Sequence, residues 1–300
     1  KLTRKEKTLF KKFKPWGIIL FSRNIKNISQ LIKLTQEIKK VNKSKKYPIL
    51  IDQEGGKVSR LNKIEDFTLF SQSYFNKLYK KDKSLFKVSY KNFIDRTSYL
   101  LNKTGININI TPVLDIYRKN SNKVIGTRSF SNLPSEVSEF GKLCIHYYKK
   151  NKIATVIKHI PGHGLSKFDT HVKMPIIKAK RKNLIKIDFK PFKECKSYFA
   201  MTCHAVYASY DLKNTATHSK TVIDKVIRRH MNFRGLLITD DISMKSLKYG
   251  TKENAMKALK AGCNLVLHCN GNINEMYKLA KVIPKIDKFT QKKTSDFYKF

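Results

Sequence analysis

Acidic residues, cysteine pairs and long apolar runs are all scarce in this 300-residue chain. The five Cys (Cys144, Cys195, Cys203, Cys263 and Cys269) stand apart and form no CxxC. That excludes a disulfide framework and a structural zinc module and points to a reducing, cytoplasmic setting. No run approaches the ~18 apolar residues of a membrane helix, so no membrane partner is expected. With 12 Gly and 8 Pro the chain is neither collagen-like nor low-complexity. No glycine fingerprint for a dinucleotide and no P-loop occurs. No linker or internal repeat is visible, so residues 1–300 read as a single domain, with a monomer the simplest assembly.

Asp and Glu total 22 against 63 Lys and Arg, a formal net charge of +41. Such a balance points first to nucleic acid or an anionic surface. Yet only ten of the bases are Arg and 53 are Lys, and the chain is also rich in Asn and Ile. All three have AT-rich codons, and the basic residues are dispersed. The excess therefore reads as a codon-driven, solvated surface, with no dedicated nucleic-acid partner.

Hydrophobic residues make up 41% of the chain, ordinary for a globular domain. They fall into short runs at Gly17–Phe21, Pro48–Ile51, Ile106–Ile110, Ala154–Ile157, Phe199–Cys203, Gly235–Thr239 and Asn264–Leu267. Amphipathic stretches separate them. Ile28, Leu31, Ile32, Ile38 and Val41 share one helical face; Val137, Phe140, Cys144, Ile145 and Tyr148 share another; Val222, Val226 and Ile227 share a third. Short buried strands alternating with helices predict βαβ units and a parallel sheet. Polar motifs follow at least five of the runs. A (β/α)8 barrel gathers those strand ends round one mouth, whereas an open doubly wound sheet uses one crevice. The barrel is the expectation. The chain opens on Lys1 within a helical pattern over residues 1–13, so the barrel's first N-terminal strand is expected to be absent from it.

Asp52-Gln53-Glu54-Gly55-Gly56, with Arg60 nearby, reads either as a ligand loop with close backbone approach or as a Gly-Gly turn capped by Asp. Asp115 ends the extended stretch before Gly126-Thr127-Arg128-Ser129-Phe130. It can orient Arg128 or cap a turn. Lys158-His159-Ile160-Pro161-Gly162-His163-Gly164, followed by Asp169-Thr170-His171, holds three of the eight His within thirteen residues. Asp169 can bond one ring nitrogen of His171 and leave the other for acid/base work. The same cluster can be read as a metal site, though its spacing matches no helix-borne motif. His204, in Met201-Thr202-Cys203-His204, fits the mouth or a satisfied buried position. Thr239-Asp240-Asp241-Ile242-Ser243 delivers Asp240 to the mouth, and Asp241 or Ser243 suits the cap of the following helix.

Taken together and in order, these motifs resemble glycoside hydrolase family 3. Within it they resemble the single-domain bacterial β-N-acetylhexosaminidases of the NagZ type, as does Trp16-Gly17-Ile18-Ile19-Leu20-Phe21-Ser22-Arg23-Asn24. The resemblance implies a retaining glycosidase with no metal or cofactor. Its substrate would be a peptidoglycan-derived amino-sugar fragment in the cytoplasm. Asp240 matches the nucleophile, His171 the acid/base and Asp169 its partner. Asp52, Arg60, Arg128, Lys158 and His159 match positions that hold an N-acetylglucosamine ring. Lys57 and Thr170 depart modestly from the pattern, where Arg and Ser are usual. A β-glucosidase is the near neighbour. A metal-dependent barrel hydrolase, marked by stoichiometric zinc, and a polyanion-binding protein, marked by steeply salt-dependent DNA binding, are the readings from other classes.

Overall fold

The computed structural model describes residues 1–119, 124–166 and 174–299. Its strands are β1 (Ile18–Leu20), β2 (Ile49–Ile51), β3 (Ile108–Asn109), β4 (Ala154–Ile160), β5 (Ile176–Ile177), β6 (Phe199–Thr202), β7 (Val206–Tyr207), β8 (Leu236–Asp241) and β9 (Leu265–Leu267). Seven of them form one parallel sheet in chain order, β1-β2-β3-β4-β6-β8-β9. These are the seven apolar runs, with β4 and β8 reaching further toward the mouth than their patterns suggest. The sheet curls: Arg23, after β1, donates to the carbonyl of Cys269, after β9, across the two sheet edges. With helices between successive strands, this is the α/β barrel architecture expected. The two-residue pair β5–β7 carries no periodic signal in the sequence.

Local chemistry explains the helices. Thr3 and Glu6 form a reciprocal capping box at helix Arg4–Phe13. Asn27 accepts from the Gln30 amide at helix Ile28–Val41, and Pro134 starts helix Pro134–Lys150. In Ile28–Val41 the buried side is Leu31, Leu34, Thr35 and Ile38, rotated from the expected face because Ile28, Ile32 and Val41 stay partly exposed. The other two faces are buried as read, apart from Ile145, which is partly exposed. No helix among the described residues is long and apolar enough to cross a membrane.

The strands bury two different faces. Ile49, Ile51, Ile157 and Leu237 join the core beneath the helices. Leu50, Val156 and Ile238 join a second core enclosed by the sheet, with Ile108, Phe199, Met201, Leu265 and Phe297. Trp16 and Phe297 flank Phe199 with ring centroids 5.5 and 5.4 Å away. Trp16 Nε1 also donates to Thr294 Oγ1 of helix Lys288–Tyr298 at 2.9 Å. These rings close the end of the barrel where the strands begin.

Candidate active site

Strand periodicity builds the site. Side chains two apart share a face, so the enclosed residues Leu50, Val156 and Ile238 are followed on the same face by Asp52, Lys158 and Asp240. The three polar groups are therefore the top layer of the enclosed stack. Lys158 is 2% exposed and its Nζ lies 2.7 Å from Asp52 Oδ1 and 2.5 Å from Glu54 Oε1. Arg128 grips Glu54 in a two-pronged pair, Nε to Oε2 and Nη2 to Oε1, both 2.8 Å. Arg60 Nη2 stands 3.7 Å from Asp52 Oδ2.

The structure thus brings Asp52, Arg60, Arg128 and Lys158 into one network, with Glu54 at its buried end. Burial pushes the Glu54 carboxyl up, but Arg128 and Lys158 outweigh it and hold it near 2, below its ordinary 4.5. Glu54 should therefore stabilise the fold fully above about pH 4.5 and lose that contribution as pH falls toward 2. Glu54→Gln should cost about 3–5 kcal/mol at pH 7, the scale for breaking a buried pair. Urea denaturation should show the deficit shrinking as pH falls below 4.5; a deficit equal at pH 7 and pH 3 would contradict the ion-pair origin.

Asp115 does not orient Arg128; Glu54 does. The fully buried Asp115 carboxylate instead serves the histidine segment. Its Oδ2 lies 2.6 Å from His159 Nδ1, and its Oδ1 accepts from the His163 backbone N–H at 2.6 Å. Burial opposes its ionisation, yet the His159 imidazole and these hydrogen bonds hold it below the usual carboxylate range. This bond occupies Nδ1 of His159 and leaves Nε2 for a ligand. His163 is buried too, and neither ring nitrogen has a partner among the described residues. Burial and His159 push it down to about 4, against the pull of Asp115 and Asp240, so its ring is neutral at pH 7.

Asp240 is partly exposed and its Oδ1 accepts from the Asp241 amide at 2.8 Å. Burial raises its pKa, but His204, His159, the Asp241 N–H and Lys158 together hold it below the ordinary value. It is a carboxylate at neutral pH, with one oxygen anchored. Asp241 does not cap the next helix. Its carboxylate binds the Ser243 amide and hydroxyl and the Cys269 amide, at 3.1, 2.6 and 3.1 Å, while helix Thr251–Ala261 starts after Gly250. Ser243 is therefore no cap for it either.

His204 is a satisfied buried residue. Nδ1 lies 2.7 Å from Thr217 Oγ1, and Nε2 lies 3.0 Å from the Asp241 carbonyl. Both nitrogens are occupied, and Nε2 holds the end of β8. The Gly-Gly pair makes a turn, but Asp52 does not cap it: its carboxylate faces Lys158 and Arg60. Gly55 and Gly56 have φ of +86° and +62°, and a Cβ on Gly55 would lie 2.3 Å from the Phe70 carbonyl. It is the chain near Phe70 that approaches so closely. Asp169 and His171 lie outside the described residues.

An ionised aspartate at a barrel mouth, beside a Lys–Arg–carboxylate cradle, is a setting for nucleophilic attack on a polar ring substrate. The model of the glycosyl hydrolase family 3 N terminal domain matches residues 1–296. The chain belongs to glycosyl hydrolase family 3. It is a glycoside hydrolase. A beta-hexosaminidase of Shewanella frigidimarina is 33% identical over 264 residues, covering 86% of this chain and 75% of that one. One from Neisseria meningitidis serogroup C is 33% identical over 277 residues, covering 90% and 75%. Among solved structures, NagZ from Neisseria gonorrhoeae in complex with N-trifluoroacetyl-D-glucosamine superimposes with a TM-score of 0.88 at 30% identity, covering 99% of this family 3 chain and 86% of that one.

Proposed function

We propose that the chain is a retaining β-N-acetylglucosaminidase that removes terminal β-linked N-acetylglucosamine from peptidoglycan fragments in the cytoplasm. The observation that carries this is Asp240, ionised at the mouth beside the Asp52–Lys158–Glu54–Arg128 network. The amino sugar in the gonococcal complex and the hexosaminidase relatives support the choice of sugar.

In this mechanism Asp240 attacks the anomeric carbon while protonated His171 gives its proton to the departing oxygen. A glycosyl-aspartate forms, with inversion at that carbon. His171, now neutral, takes a proton from water as the water attacks the same carbon, and the second inversion restores the β configuration. Asp169 orients and stabilises the imidazolium. Asp52 and Arg60 accept and donate hydrogen bonds to ring hydroxyls, and Lys158, Arg128 and His159 complete the grip, so the anomeric carbon is held in line with Asp240.

Release of nitrophenol from the β-N-acetylglucosaminide and the β-glucoside, measured side by side, tests the sugar preference. The acetamido substrate should be favoured at least about a hundredfold in kcat/KM, since a site built to hydrogen-bond a substrate group rejects the analogue that lacks it. Equal rates, or preference for the glucoside, would overturn the N-acetylglucosamine reading.

A further inference from the structure

The turn after β4 is gripped from two sides. On one side, a Cβ on Gly164 would lie 2.2 Å from the Ile116 carbonyl. On the other, Gly162 has φ +132° and packs on Asp188, whose carbonyl and Cβ lie 3.0 and 3.2 Å from where a Cβ would stand. The Tyr207 hydroxyl donates to the Gly162 carbonyl. Between the two flanks His163 gives its backbone N–H to Asp115, the same carboxylate that holds His159. Arg118, two residues beyond Ile116, reaches Asp188 with Nη2 at 3.0 Å from Oδ2. Asp188 is 2% exposed.

We infer that the Arg118–Asp188 ion pair is a positioning device: it ties together the two segments that flank the Gly162–Gly164 turn and so fixes His159 against the sugar. In this role Asp188 and Arg118 are positioning residues and not catalytic ones. They act through the turn, and through it on the Asp115–His159 bond. The inference rests on the proposed placement of the sugar against His159.

Arg118→Met and Asp188→Asn are measured singly and together, with N-acetylglucosamine as competitive inhibitor of the aryl β-N-acetylglucosaminide. Each single variant should raise Ki and KM about ten-fold with a smaller change in kcat, the cost of a misplaced positioning group. The double variant should be no worse than the worse single one, and Arg118→Lys should recover part of the loss. Additive effects, or Ki unchanged in folded Asp188→Asn, would overturn the inference. If Asp188→Asn does not fold, Arg118→Lys against Arg118→Met reads the same quantity with the aspartate intact, and equal Ki values for those two variants would overturn it. His159→Ala separates the two claims. An unchanged Ki there removes the sugar contact itself, whereas a raised Ki there with normal Arg118→Met removes only the ion pair's role.

Discussion

Asp240→Asn should lower kcat/KM by about 100,000-fold or more, the order seen when a covalent nucleophile is removed, while the protein stays folded. The carboxamide cannot attack, and its remaining oxygen would keep the hydrogen bond that Asp240 Oδ1 accepts from the next amide. A mechanism-based fluorosugar should label the wild type on Asp240, located by peptide mapping. Asp241→Asn gives the contrast. That carboxylate is committed to Ser243 and Cys269, so its loss should show first in thermal stability. Label on Asp241 or Glu54 would overturn the assignment.

His171→Ala should slow substrates with poor leaving groups by about 10²–10⁴-fold, the range for general acid catalysis. Nitrophenyl glycosides should lose far less, because their leaving oxygen needs no proton. Asp169→Asn should give a milder form of the same pattern. A wild-type basic limb set by the imidazolium starts from a reference near 6.5; a carboxylate partner raises it and burial lowers it. That limb should disappear from the pH profile of His171→Ala. Equal leaving-group dependence in wild type and variant would place the acid elsewhere, with Glu54 and Asp52 the next residues to test. Glu54 makes a poor candidate, since its double pairing to Arg128 and Lys158 holds it ionised.

The barrel is legible in the sequence because its inner strands are buried on both faces and read as short continuous apolar runs. The site is legible where a strand end carries its own polar residue, as at Asp52, Lys158 and Asp240. Partnership across the barrel is not. Glu54 and Arg128 are 74 residues apart, and nothing in local spacing distinguishes Glu54 from Asp115 as the partner of that arginine. The same holds for Asp115 and His159, 44 residues apart. The caps behave similarly. Asp241-Ile242-Ser243 has the composition of a helix start, but its carboxylate is claimed by the Cys269 amide of a loop 28 residues away. The same carboxylate also closes a local turn on Ser243, so the composition marks a turn that holds a distant loop and no helix start. Strands of two residues, β5 and β7, are too short for any period to show.

The ring-filled end of the barrel has a kinetic consequence. Trp16, Phe199 and Phe297 shut the end where the strands start, and the residues stacked above them leave the enclosed core apolar up to the Asp52–Lys158–Asp240 layer. Among the described residues, these rings and the apolar stack fill that end. In the two-step reaction proposed, the water that releases the sugar must enter by the opening the aglycone has just vacated. The first product therefore departs before the second step begins, which is ping-pong order. Any small alcohol present at that moment competes with water for the same vacancy, so added methanol should divert the glycosyl group to a methyl β-glycoside in proportion to its concentration.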